Sequence, residues 1–472
     1  MRAVARPRVA LHDYRTDPLL PQKDGVNLAH ENIAALLRSP AAVGLDVRFH
    51  DLLALLRSDD HAAEALADVD CVVANVGPHA HYYLALRERL GLRYRVIRDV
   101  RTAMWSSYLL QEHLCAPLLR EGDVLMVASV YTQSLYRHFF PHLAGHPLPL
   151  CYPLTVGFPA SPPARVPDPL GRQVLGYLGR LSEDKNFPDL VQLLIALERR
   201  QPGRHLLLAC GDVHSASCHP ERVRAALAEQ GVTPSAFEHC GALPNAAVWG
   251  VLGRMDVMLF PSTSNLETLG RVLIEASFAG IPVIGGQHAA APELVPGEAL
   301  VPVHYHPGLV FDTHHDHSLG HLSGADLLAA VEGRQGRVPQ AFGRYQAHAE
   351  RFLALVAGQW DPDWERLPEG SPPAGAGVER WQMRLPPALT APAALEAIDT
   401  AQRWFLDLHD RSAPTFAATL QALQALSAHP ERTQRFLQRL AQTRGDFTNV
   451  GAIDIELCGV MRFWPEVRQN FI

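Results

Sequence analysis

Two carboxylates in PSTSNLETLGRVLIEASFAGIPVIGG (261–286), Glu267 and Glu275, stand eight positions apart. If both were helical the rise between them would be about 12 Å. That spacing suits two acids accepting hydrogen bonds from hydroxyls on different parts of one extended ligand. It does not suit a pair acting on a single bond, which needs carboxyls roughly 5–10 Å apart. Between them, Leu269 and Gly270 lead into a helix whose free N–H groups and partial positive charge favour an anion such as a diphosphate. Gly270 lets a ligand approach the backbone closely. The bland alternative is two solvated acids on a helix face.

Upstream, LGYLGRLSEDKNFPDLVQLLIALERR (175–200) carries Arg180 and Lys185 on a loop after a strand-like run. Asn186 is placed to cap the following helix, with Pro188 tolerated in its first turn. Two cations at a strand–loop–helix tip form a diphosphate clamp, the arginine binding through two N–H groups and the lysine as a point charge. Alone, such a pair is as readily a solvated edge.

Together these segments resemble the retaining glycosyltransferase family 4 (the group 1 transferases), whose fold is GT-B. The resemblance is close over about residues 172–312 and loose over 8–150; Arg-x4-Lys and Glu-x7-Glu stand as the family has them. It implies a metal-independent transferase that takes its sugar from a UDP- or GDP-sugar with retention at the anomeric carbon. By the same resemblance, Arg180 and Lys185 hold the donor diphosphate and stabilise the departing nucleotide. Glu267 takes hydroxyls of the transferred sugar and Glu275 those of the ribose. Leu269 and Gly270 meet phosphate and sugar, and Gly241 to Leu243 lie beside the base.

The first half departs from the family. A loop that often carries two adjacent glycines reads PQKDGVN (21–27), with Gly25 alone. A histidine that often ends the fourth strand is replaced in VIRDVRTAMW (96–105) by Arg98 and Asp99. Asp99 either orients or deprotonates an acceptor or pairs with Arg98 or Arg101. His79 and His81, in NVGPHAHYY (75–83), are further acceptor-side candidates or packing residues. The acceptor is left open among a saccharide, a lipid-linked molecule, a small molecule and a protein.

The elements that must position these groups alternate in βαβ fashion. Strand-like runs occur at 8–14, 46–52, 71–77, 94–100 and 123–129, then at 173–180, 205–211, 237–243, 256–262 and 282–286. A proline-rich stretch at 146–169 reads as a linker, because prolines cannot donate ladder hydrogen bonds. The expected fold is α/β: two Rossmann-like domains facing across a cleft, acceptor-side at 1–155 and donor-binding at 156–335, with a C-terminal helical region at 336–472. Ligands of such sheets bind at the strands' C-terminal ends. In the tail, Ile398, Ala401, Trp404, Phe405 and Leu408 fall at helical spacing, as in a packed extension or an oligomer contact.

At 472 residues, with 47% hydrophobic and 19% charged residues, the chain has a globular composition. A net charge of −7 argues against a general nucleic-acid binder. Seven scattered cysteines without CxxC spacing fit reduced thiols, and no apolar run is long enough for a signal peptide or a membrane span, so a cytoplasmic protein, at most peripheral to the membrane, is expected. Six arginines within 87–101 are either a basic face for an anionic membrane or lipid-linked acceptor, or an exposed edge paired with neighbours. Histidines at 304, 306, 314, 315, 317 and 321 are discounted as a functional metal site. No Asp-x-Asp follows a strand in the α/β domains, so neither cofactor nor metal is expected. Two competing readings are a nucleotide-sugar epimerase or hydrolase on the same architecture, and a non-catalytic scaffold.

Overall fold

The computed structural model describes residues 6–13, 25–75, 79–101, 106–154, 157–307, 317–367, 377–381 and 388–409. Ten strands form where the apolar runs were read. In the first sheet these are β1 Arg8–His12, β2 Asp46–His50, β3 Cys71–Ala74, β4 Arg95–Val100 and β5 Val124–Val127, all parallel, in the order β2-β1-β3-β4-β5. The second sheet holds β6 Gln173–Leu178, β7 His205–Cys210, β8 Phe237–His239, β9 Val257–Phe260 and β10 Val283–Gly286, joined by a short edge strand β11 Leu300–Val301. Its order is β11-β10-β9-β6-β7-β8, again parallel. Central strands such as β3, β5, β7 and β9 are buried along their whole length. This is why they read as unbroken apolar runs: helices cover both faces of each sheet. Each unit is Rossmann-like.

The proline-rich stretch does more than link. Leu125 and Val127 donate N–H bonds to the carbonyls of Pro147 and Pro149, and Cys151 N–H returns to Val127. Residues 147–151 thus lie along the free edge of β5, where a proline serves as acceptor without being missed as a donor. From Ala160 to Leu170 the run is largely exposed, and it is fastened to the second domain by Val166 N–H on the carbonyl of Gly253 and by Arg165 on Asp256.

The helices after the second sheet return to the first domain, which periodicity could not reveal. Ala341 and Tyr345 still belong to the second domain's core. Phe352, Leu355 and Val356, on the helix His348–Val356, pack with Val9, Leu11, Val73 and Ile97 of the first sheet. On the helix Ala391–His409, Ala397, Ile398 and Ala401 close a cluster with Leu55, Tyr82 and Leu86. Each such large apolar side chain contributes roughly 1.5–3 kcal/mol by burial. The side chains of Trp404, Phe405 and Leu408, and everything from 410 on, lie outside the described residues.

The arginines of 87–101 do not make a basic face. Arg87 is buried and forks onto Asp123 at 2.8 and 2.9 Å. Arg98, expected near an acceptor, is buried against both oxygens of Glu112 at 2.6 Å and turns into the core. Arg89 binds Asp59 and Asp399, and Arg95 reaches the carbonyl of Leu355, so two of these residues tie the C-terminal helices to the first domain. Arg93 stays exposed. Among the described residues no helix is long and apolar enough to cross a membrane. Cys71, Cys115, Cys151, Cys210, Cys218 and Cys240 are free thiols.

Candidate active site

The C-terminal ends of β6 and β9 bring the two sequence motifs together. Arg180, Lys185, Glu267, Leu269 and Gly270 line one cavity of about 1080 Å³, counting its open mouth, with Tyr177, Ser262 and Thr268. The first domain and its edge supply Arg101, Ala128 and Tyr152 to the same cavity. Asn186 welds the two loops. It adopts a left-handed conformation (φ 54) at the helix start and makes no side-chain cap. Its amide instead donates to the carbonyl of Pro261 at 3.0 Å, to Thr263 Oγ1 at 2.8 Å and to the carbonyl of Gly320 at 3.2 Å. The expected capping role is therefore replaced by a bridge between loops.

Glu267 lies in the loop before the helix Arg271–Ala279 and is 8% exposed. Lys185 Nζ stands 2.5 Å from its Oε2, and Ser262 Oγ donates to the same oxygen at 2.8 Å. Burial would push the Glu267 carboxyl up, but Lys185 and Ser262 outweigh it and hold it below the usual range. Arg180 reaches Asp184 at 3.2 Å, and its backbone carbonyl accepts from Tyr177 Oη. Both loop cations thus have acidic partners in this state.

The glycine before the helix is required by its backbone conformation and by a neighbouring ring. Gly270 is left-handed (φ 65), and a Cβ there would fall 2.8 Å from the ring of Phe260. One turn on, Glu275 is held by Arg271 at 3.0 Å, and Arg271 also meets Tyr152 Oη at 3.4 Å and stacks over Phe158. Glu275 sits behind the helix start and does not line the cavity itself. Gly241 is left-handed (φ 71), with its carbonyl accepting from Gly211 N–H, and Leu243 packs against the second domain's core. Neither borders this cavity.

Of the acceptor-side candidates, Asp99 is buried and bound to Arg101 Nε at 2.7 Å. Burial raises its pKa and Arg101 opposes the rise. His79 is fully buried at the start of the helix Ala80–Arg89, stacked on Tyr82, and His81 is buried beside it, its pKa driven down by burial. Neither histidine lines the cavity. Gly25 opens the helix Gly25–Arg38, and residues 21–24 of its loop lie outside the described residues. In the histidine-rich segment, β12 Val303–Tyr305 and β13 Gly320–Leu322 form a hairpin that stacks His304 on His321. His314 and His315 lie outside the described residues.

Sequence reasoning missed Arg101, Arg271, Ser262 and Thr268 as neighbours of the ligand space. It also missed Glu293, whose carboxylate accepts the N–H groups of Val130 and Tyr131 across the domain boundary at 3.0 and 2.8 Å. Arg271 sits next to the quoted Gly270, so helix-start adjacency could have flagged it. The others carry no local signal.

Two Rossmann-like sheets meeting at a cleft, with cations and a helix start aimed into it, define the GT-B class of nucleotide-binding architecture. The profile of the family described as Glycosyl transferases group 1 matches residues 163–321, which contain the whole second sheet and both motifs. It is 36% identical over 116 residues to the 2-deoxystreptamine glucosyltransferase of Streptomyces kanamyceticus, covering 24% of this chain and 27% of that one. It is 26% identical over 239 residues to the D-inositol 3-phosphate glycosyltransferase of Segniliparus rotundus, covering 46% and 52%. The chain therefore spans about half or less of the length of these curated relatives. Among solved structures, HepE of Anabaena in complex with UDP superposes with a TM-score of 0.47 at 14% identity, over 75% of this chain and 97% of that one.

Proposed function

We propose that this chain transfers a sugar from a nucleoside-diphosphate sugar, of the UDP or GDP kind, to a hydroxyl of an acceptor, with retention at the anomeric carbon. One observation carries the reading: the Arg180/Lys185 loop and the Glu267–Gly270 loop, 82 positions apart at the Lys185–Glu267 contact, line a single cleft at the strands' C-terminal ends. Two further things support it, the group 1 family match and the sugar-transferring relatives, which act on hydroxylated cyclitol-type acceptors by name.

In this reading the diphosphate draws Lys185 and Arg180 away from Glu267 and Asp184. The freed Glu267 carboxylate then accepts hydrogen bonds from the sugar's hydroxyls. As the bond from the anomeric carbon to the β-phosphate breaks, negative charge builds on the phosphate oxygen, and fixed cations in a closed cleft stabilise it. The acceptor oxygen bonds to the same face of the carbon, and its proton passes to the departing phosphate. No protein nucleophile is required. Arg180 and Lys185 act on the leaving group, Glu267 on the sugar and Glu275 on the ribose.

A thermal-shift panel of nucleotide sugars tests this directly, since a donor at 100 times its Kd adds about 2.7 kcal/mol of stability. The bound donor is then incubated with cyclitol and saccharide acceptors, and the product's anomeric configuration is read by NMR. Absence of a shift with any UDP- or GDP-sugar, or an inverted product, overturns the reading.

A further inference from the structure

We infer that Arg101 is the first domain's own ligand to the donor diphosphate, a third cation that reaches the phosphates from across the cleft; this rests on the function proposed above. Arg101 directly follows β4 at its C-terminal end and lines the cavity together with Arg180, Lys185 and Thr268 to Gly270. Its side chain is only 3% exposed, yet among the described residues its Nη2 has no hydrogen-bond partner. A buried guanidinium nitrogen left without an acceptor costs free energy unless something else occupies the space in front of it.

The rest of the group is fixed rather than loose. Nε is held by Asp99 Oδ2 at 2.7 Å, the guanidinium lies 4.6 Å from the centre of the Tyr152 ring, and the Arg101 carbonyl accepts from Thr268 Oγ1 at 3.3 Å. That last bond sets Arg101 beside the residues that lead into the helix Arg271–Ala279, whose free N–H groups face the same space. With Nε committed to a carboxylate, the N–H of Nη2 that points along the outer end of the guanidinium is suited to an oxyanion. Asp99, itself buried, is then a positioning residue that aims the guanidinium. The arrangement also answers a deficit in the first domain, where the glycine loop has the single glycine Gly25 to offer backbone N–H groups.

Titration calorimetry tests the assignment. Wild type, Asp99→Asn, Arg101→Gln and the double variant Asp99→Asn/Arg101→Gln are each titrated with UDP, UMP, GDP and GMP. The double variant keeps a neutral hydrogen-bonded pair in place of the ion pair, so a loss of binding in it is not a loss of fold, and its unfolding midpoint is measured alongside. Arg101→Gln and the double variant are expected to lose roughly tenfold or more in affinity for the diphosphate and under threefold for the monophosphate, as removal of a charge-assisted bond predicts. Asp99→Asn is expected to fall between. Equal diphosphate affinities in wild type and both Arg101 variants overturn the inference while leaving the proposed function standing. A wild type that binds neither UDP nor GDP overturns both.

Discussion

Lys185 and Glu267 meet with their charged atoms 2.5 Å apart, so each neutralises the other's charge. The pair is largely buried, at 18% and 10% side-chain exposure, whereas Arg180 beside it is 31% exposed and leans on Asp184. If both cations serve the leaving phosphate, Lys185→Ala and Arg180→Ala each lower kcat by about 10²–10³, the scale of a lost oxyanion donor. The two should differ in stability: Lys185→Ala strands a buried carboxylate and lowers the unfolding midpoint more than Arg180→Ala does. Steady-state kinetics with the donor found by thermal shift, and melting curves of both variants, check this. Unchanged turnover in either would remove that residue from the clamp.

Gly270 gives a second prediction. Its left-handed φ of 65 and the Phe260 ring 2.8 Å from a would-be Cβ leave alanine strained twice. Gly270→Ala should cost about 1–2 kcal/mol from the backbone conformation alone. Because the strain falls at the start of the helix Arg271–Ala279, affinity for the nucleoside diphosphate should drop with it. A variant with normal stability and normal affinity would show that this turn does not need its glycine.

Acid should weaken the fold through histidines held neutral. His12 and His288 are lowered to about 4, and His50 and His348 to about 3, in each case chiefly by burial. The unfolded chain takes up protons at these residues near pH 6.5, while the folded chain refuses them until far lower. The stability they confer is present above pH 6.5 and is lost as pH falls from there towards 4 and 3. His348 accepts the N–H of Tyr152 at 3.1 Å, between the chain's two passages from one domain to the other. His348→Gln should flatten the stability slope in this window by up to one proton, about 1.4 kcal/mol per pH unit. An unchanged slope by urea titration at pH 4.5, 5.5 and 6.5 would refute the assignment.

Glu293 acts in the opposite sense. Burial raises it to about 7, against the N–H groups of Val130 and Tyr131, which favour the charged form. The unfolded carboxyl gives up its proton near 4.5 and the folded one near 7. Its contribution is therefore complete below about pH 4.5 and declines as pH rises to 7, by at most about 3 kcal/mol. The stability difference between wild type and Glu293→Gln should be larger at pH 5 than at pH 8. A constant difference would mean that Glu293 is ionised throughout.

The sheets were legible because parallel strands covered on both faces become apolar runs of fixed length, and each of the ten runs read from 8–14 to 282–286 contains a strand. The loops after β6 and β9 were legible as well, through the glycine at 270 and through the resemblance that Arg-x4-Lys and Glu-x7-Glu carry. What was hidden is non-local. Arg98 and Arg87 looked like surface charges until Glu112 and Asp123 met them in the core. Helical spacing marked Ile398 and Ala401 as apolar-face residues without saying which domain that face would cover. Asn186 had the composition of a cap, yet the carbonyls of Pro261 and Gly320 compete for its amide and win. Arg101 was legible only as a partner for Asp99, since its meeting with Arg180 and Lys185 at one cavity is made by a distant part of the chain.

The return of the C-terminal helices has a mechanical consequence. Among the described residues the chain passes between the domains twice, once near Tyr152 and again between Tyr345 and Phe352, and His348 binds the first passage to the second. A single tether would let the two sheets swivel freely. Two tethers laced side by side restrict that freedom to rotation about the line that joins them.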